Sequence, residues 1–409
     1  MEPFSPLGWS PADLADPYPI YRRYREADPV HRAGPGTWFV FDHEHVAQTL
    51  SRRDFGRNRP AHLPGRNDAL YRSVRDWLVF LDPPRHTRLR RLLAAEFSPK
   101  VVAGLRPRIA SIVASLLRPL WGREEFDLVR EFAAPLPVLV ISALLGVPGE
   151  RHAWFRERAE WLQEASSARA ARASGGLARA SGGLARAETA AGELTEYFDE
   201  QVRARRAAPR DDLVSLLAAA PGLTGDEITA TCVHLLTAGH ETTTNLLGKS
   251  VLHLSARPDL ARTLRQEPAL VPSAVGELVR FDAPVQMITR WATEAQELGD
   301  RKIAAGDKVV LVLGSANRDP ARFTAPDRIV VDRDTSRHCG FGMGIHYCLG
   351  AQLARAEAEL ALPPLLELLR GFGVSGARYA EDLVFHGPAA LTLRAIGTAG
   401  SGAPAPPAR

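Results

Sequence analysis

Residues 341–350 read FGMGIHYCLG, a glycine-spaced loop that delivers Cys348 to the start of a helix. Glycines permit positive φ and the close approach of a flat ligand. The free N–H groups and dipole of a helix start would hold Cys348 as a thiolate, the form that binds metal. The ordinary fate of a free cysteine is a buried inert thiol, but the Gly342-x-Gly344-x-His346-x-Cys348-x-Gly350 pattern argues for a ligand. Zinc is the other reading, from His338, Cys339, His346 and Cys348. Those residues lack the pair spacing of structural zinc sites.

A second group lies at 238–244, AGHETTT, in the middle of an otherwise apolar helical pattern. Ala238 and Gly239 are small, Glu241 is an acid and Thr242 is β-branched, where propensity alone would select Leu or Ala. An acid beside an alcohol can relay protons. The alternative is a Thr242 hydroxyl bonded to the carbonyl four residues back and a solvent-facing Glu241. A third group follows Asp82-Pro83-Pro84, where His86 and Arg90 stand one turn apart on a helix expected over 82–97. Its Leu89, Leu93 and Phe97 form the buried stripe. Glu277 and Arg280 form a fourth pair, at the i, i+3 spacing of a helical ion pair.

The elements that must position these groups are mostly helices. The strongest pattern begins at the capping box Thr224-x-x-Glu227 and continues to about Ala256, long enough at about 1.5 Å per residue to cross the molecule. Residues 133–147 read as a buried core helix, too short at 15 apolar-rich residues for a membrane span. Strand signals lie at 37–41, 285–292 and 308–313, and 317–340 is irregular. A last helix starts near Leu349 and is expected to kink or stop at Pro363-Pro364. The heptad ASGGLAR occurs at 173–179 and again at 180–186, and reads as a duplicated mobile surface loop. Residues 398–409 read as a disordered Pro/Gly/Ala tail, and 1–397 as one large domain.

With 409 residues, 45% hydrophobic and 24% charged, the chain is globular. A net charge of +4 without blocks of one sign gives no argument for nucleic acid. Three cysteines make no even disulfide framework, and no signal peptide or anchor is visible, so a reducing cytoplasm is expected.

The four groups occur in an order and spacing that resemble the bacterial soluble cytochrome P-450 heme-thiolate monooxygenases, from about residue 10 to 396. The resemblance implies a mainly α fold with small β-sheets (α+β), holding heme b between the central helix and the cysteine loop. Cys348 would then be the axial iron ligand. His86, Arg90, Arg290, His338 and His346 would meet the heme propionates, while Ala238, Gly239, Phe341, Gly342 and Gly350 would border the macrocycle. Glu241 and Thr242 would deliver protons to iron-bound O2. Glu277, Arg280 and the Arg328 side chain would lock the fold beneath the loop. The sequence departs from the family pattern at Cys339, Gly340, Ile329, Gly276 and Pro363-Pro364.

The resemblance further implies electrons from NAD(P)H through a ferredoxin reductase and a ferredoxin, docking where Arg337 and Arg355 could meet an acidic carrier. The chain would be monomeric and engage no membrane. Candidate pocket residues are Arg72, Leu78, Leu235, His240, Val285, Gln286, Met287, Ile288, Phe385 and His386. They suit a mid-sized, mostly apolar small molecule, expected to be a polyketide, peptide or alkaloid intermediate. Oxidative coupling, peroxide-driven oxidation, a catalytically silent heme-binding partner and a gas sensor are the competing functions.

Overall fold

The computed structural model describes residues 1–6, 8–58, 74–173 and 177–396, with the side chains of 163–182 excepted. Six helices position the site: α1 (Tyr18–Ala27), α2 (His43–Ser51), α3 (Arg85–Glu96), α4 (Gly225–Ser255), α5 (Val271–Phe281) and α6 (Ala351–Leu368). The capping box at the head of α4 forms as expected: Thr224 Oγ1 accepts from the Glu227 amide and the Glu227 carboxylate accepts from the Thr224 amide. The helix is then buried from Ile228 to Thr237 and again from Thr243 to Val251. It packs against the helices Pro135–Leu144 and Leu177–Ala207 and against α6.

In chain order the strands are β1 (Val30–Gly34), β2 (Thr37–Val40), β3 (Phe55–Gly56), β4 (Glu125–Asp127) and β5 (Met287–Ala292). Then follow β6 (Gln296–Leu298), β7 (Arg301–Ile303), β8 (Lys308–Val312), β9 (Phe372–Tyr379) and β10 (Pro388–Ala395). The main sheet has the order β1-β2-β8-β5-β3, and β9, β10 and β4 form a second. Because side chains alternate along a strand, the main sheet serves two cores. Met287, Val310 and Val312 face an aromatic cluster of Phe4, Tyr18, Tyr21, Tyr24 and Phe41. Val309, Leu311 and Ile288 face Val46 and Leu50 of α2 together with Cys339 and Met343 of the cysteine loop. The loop is thus seated on the sheet.

Several expectations are corrected here. The second copy of the repeat lies inside the helix Leu177–Ala207, so the duplication is not a loop throughout; residues 174–176 lie outside the described residues. Helix α6 runs past Pro363-Pro364 without stopping. A proline in a helix interior costs about 3 kcal/mol, but Ala358, Ala361, Leu362, Leu365 and Leu366 are each at most 1% exposed there, and tertiary burial outweighs the lost hydrogen bonds. Strand β1 and the β9–β10 hairpin were not foreseen. Residues 398–409 and Arg72 lie outside the described residues.

Candidate active site

Cys348 stands three residues before the first residue of α6. Its amide donates to Phe341 O at 2.8 Å, closing the loop on itself. Two glycines in it have positive φ, Gly342 (+70°) and Gly344 (+67°), and a Cβ at Gly344 would sit 2.5 Å from Leu50 O on α2. Only glycine satisfies both demands. The expectation that the helix start alone would ionise the cysteine is corrected. Burial raises the thiol's pKa, and the Gly350 amide, Arg90 and Arg355 pull against it without prevailing. A bound metal would be needed to hold the thiolate. Cys339 is buried in the core beneath the sheet, and burial pushes its thiol up to about 12.

Beside the loop lies a group rich in donors. His86 on α3 and His346 of the loop have ring centroids 4.2 Å apart. Arg90, one turn after His86, donates to Tyr347 O at 2.6 Å. Arg290 on β5 is 2% exposed; burial and then the neighbouring Arg57 lower its pKa to about 9. Arg57, absent from the sequence expectations, donates from Nη1 to Thr289 O at 2.6 Å, and its burial lowers its pKa to about 10. Asp82 is the carboxylate of the group, 3.9 Å from His346 Nε2. Burial alone would lift its pKa, but His346 and the amides of Asn58 and Arg57 hold it at about 2. His86 is 1% exposed, and neither of its ring nitrogens has a hydrogen-bond partner among the described residues. Buried guanidinium groups and unmet imidazole nitrogens are a donor set for acidic groups such as heme propionates. The residues fit that cofactor.

His338 stands on the loop itself. Its Nδ1 accepts from the Gly340 amide at 2.9 Å, and burial, followed by Arg355 and Arg280, lowers its pKa to about 3. It caps the short turn Cys339–Phe341.

The central stretch of α4 is open where the flanking turns are closed: Ala238 is exposed, and Gly239, Glu241 and Thr242 are half-buried. Helix α4 is unbroken through Gly239, and Thr242 Oγ1 donates to Ala238 O at 3.1 Å. That hydroxyl bond is the local alternative weighed for Thr242. It leaves the oxygen lone pairs free to accept from another donor. Glu241 is half-buried, and burial and then Asp382 raise its pKa well above the ordinary carboxylate value.

The ion-pair lock lies beneath the loop. Arg280 donates to both carboxylate oxygens of Glu277, at 2.6 and 2.8 Å, with both side chains fully buried. It also reaches the carbonyls of Asn317, Pro326 and Arg328. Arg328 therefore contributes its backbone and not its guanidinium, which is a correction. The third charged partner is Arg333, whose Nε lies 3.1 Å from Glu277 Oε1.

Of the pocket candidates, Leu78 and Leu235 join the main core, and Val285 and Ile288 pack with the cluster under the cysteine loop. Phe385 is half-buried and bridges to Val285. The others point away. His240 is 2% exposed and lies opposite the Ala238–Thr242 face by helical angle. Met287 faces the aromatic cluster. Gln286 is fully buried and donates to Tyr18 OH at 2.9 Å and to Ala283 O. His386 pairs with Leu14 O at 2.7 Å. Strand alternation sends Met287 to the aromatic core, and His240 is turned away by its place on the helix.

Comparison with known proteins decides the family. The family model for "Cytochrome P450" matches residues 30–374. The chain belongs to the cytochrome P450 family. Cytochrome P450 107B1 of Saccharopolyspora erythraea is 39% identical over 379 residues, covering 88% of this chain and 89% of that protein. The mycinamicin IV hydroxylase/epoxidase of Micromonospora griseorubida is 36% identical, covering 91% and 94%. Among solved structures, P450BioI in complex with an acyl carrier protein ligated to hexadec-9Z-enoic acid superposes with a TM-score of 0.86 at 31% identity, covering 94% of this chain and all of that one. As a member of the P450 family this chain is a heme-thiolate monooxygenase, using heme iron, O2 and electrons from a redox partner. Among the described residues no helix is long and apolar enough to cross a membrane.

Proposed function

We propose that this P450 hydroxylates or epoxidises a mostly apolar secondary-metabolite intermediate, of polyketide, peptide or alkaloid type, as a cytoplasmic monomer. Its electrons come from NAD(P)H by way of a ferredoxin reductase and a ferredoxin. The observation that carries the reading is the open Ala238–Thr242 face on an otherwise buried helix, with an acid whose pKa burial raises beside an alcohol. A carboxyl group beside a hydroxyl supports oxygen activation, which consumes protons, and the labelled-oxygen test below separates hydroxylation from coupling. The hydroxylase/epoxidase relative supports the substrate class.

Heme b, when bound, supplies the iron at which O2 is reduced. Cys348 Sγ would be the ligand to it, and Arg90, Arg290, Arg57, His86, His338 and His346 would hold the propionates. Ala238 and Gly239 carry no side chain that would fill the space above the macrocycle. Glu241, whose ionised form burial disfavours, would give a proton. Thr242, its own hydrogen committed to Ala238 O, accepts at its oxygen and orders the water that relays it. Arg337 is exposed on the loop side for an acidic carrier, while Arg355 stacks over Phe341 at 4.6 Å.

The test is the CO-difference spectrum of the reduced protein beside Cys348→Ser, followed by turnover with ferredoxin, reductase and NADPH under oxygen-18. The long-wavelength Soret band of thiolate-ligated heme, lost in the variant, and one labelled oxygen in product are expected. Product without label would replace hydroxylation by coupling.

A further inference from the structure

One polar pair near the open face of α4 has no part in the chemistry above. His234 lies four, seven and eight residues before Ala238, Glu241 and Thr242, so at 3.6 residues per turn all four occupy one arc of the helix. The Trp77 ring stacks on the His234 ring with centroids 5.1 Å apart and planes at 21°. The Phe80 ring also stacks with the indole, at 6.3 Å and 14°. Arg57 pins this turn: its Nε donates to Val79 O at 2.7 Å and its guanidinium lies 5.5 Å from the Phe80 centroid. His234 is 7% exposed, and both its Nδ1 and the buried Trp77 Nε1 lack a hydrogen-bond partner among the described residues.

A buried donor left unmet costs about 1–3 kcal/mol, and here two polar groups are left so, side by side, in a turn fixed by packing. Burial, and then Arg57, lower the His234 pKa to about 4, so the imidazole is neutral and one of its nitrogens carries a hydrogen. The indole can only donate. The missing partner of Trp77 is therefore an acceptor, and the His234 tautomer with its hydrogen on Nδ1 donates to the same group.

We infer that Trp77 Nε1 and His234 Nδ1 clamp an oxygen substituent of the substrate (hydroxyl, carbonyl or carboxylate) and so set which carbon is oxidised. The inference rests on the monooxygenase reading. Seven to eight residues at about 1.5 Å each place the clamp roughly 10–12 Å along α4 from Glu241 and Thr242.

The test is calorimetric titration of the full-length heme-loaded protein with dodecanoic acid, dodecan-1-ol and dodecane, in wild type, Trp77→Phe and His234→Phe. Both variants keep an aromatic ring in the stack and remove its hydrogen-bonding nitrogens. Wild type binds the oxygenated probes more tightly than dodecane. Each variant loses roughly three- to tenfold of that preference, the worth of one hydrogen bond, while dodecane affinity stays within about twofold. The acid exceeding the alcohol would assign a carboxylate, and the reverse a neutral oxygen. A wild type without preference, or a preference unchanged in both variants, overturns the clamp, as does equal weakening of all three probes, which marks a packing role. Calorimetry does not depend on the heme spectrum. An absent thiolate CO band with the preference intact would thus refute the monooxygenase reading and leave the clamp standing.

Discussion

Gly344 shows how little freedom the cysteine loop has. Its positive φ and the 2.5 Å approach to Leu50 O make Gly344→Ala a backbone conflict that no rotamer relieves. The variant should lose about 1–3 kcal/mol and retain less heme than wild type, measured by the heme-to-protein absorbance ratio after purification. Glu241 makes a second test with the opposite sign. Its folded-state pKa is raised, so below the unfolded carboxyl value both states are neutral and nothing is gained or lost. As pH rises above that value the unfolded chain ionises first, and stability falls until the folded pKa is passed. Glu241→Gln removes that penalty. Its melting temperature should exceed wild type at pH 7 and match it near pH 4, while product formation falls and peroxide release rises. The acid costs stability where it serves chemistry. Cys348, Glu241 and the Glu277–Arg280 pair were legible from sequence because each is a local motif. Arg57 and Arg333 were not, because each gains its role from a carbonyl or carboxylate that is remote in the chain: Thr289 O for one, Glu277 for the other.

At the scale of elements, α5 is held to the meander 317–333 by a charge cluster and not by apolar contact alone. Arg280 spends its guanidinium on Glu277 and three carbonyls, and Arg333 adds a second cation. Removing Arg280 leaves Glu277 buried without its bidentate partner, so Arg280→Ala should cost about 3–5 kcal/mol in urea unfolding. Arg333→Ala should cost about 1–3 kcal/mol. Arg328→Ala should change stability by less than about 0.5 kcal/mol, since its side chain is exposed and only its carbonyl is engaged. Helix α6 teaches the complementary lesson. Local propensity stops it at Pro363-Pro364, but its flanks are sealed by neighbours no local window contains. The helix and strand cores were legible where period and caps agreed, as in α4. The β9–β10 hairpin escaped because its strands pair across an eight-residue connection without a turn signature of two residues.

Across the whole molecule, Asp282 is the knot. Its carboxylate takes Lys249 Nζ of α4 at 2.7 Å, His253 Nε2 at 2.8 Å and Tyr18 OH of α1 at 2.7 Å, with His386 Nδ1 3.9 Å away. Burial would raise its pKa, but Lys249 and the histidines hold it well below the ordinary value. Asp282→Asn should leave the buried Lys249 uncompensated and cost about 3–5 kcal/mol, lowering the thermal midpoint without abolishing the thiolate spectrum in the protein that remains folded. Strand β5 begins a few residues past this knot and carries the alternation on which the two cores depend. Even and odd letters of one short word are thus read by different audiences: Met287 by the aromatic core, Ile288 and Arg290 by the cysteine-loop side. A change at Ile288 alters the seat of the cysteine loop while the aromatic core stays untouched. A one-residue insertion in the same strand would rewrite both messages together.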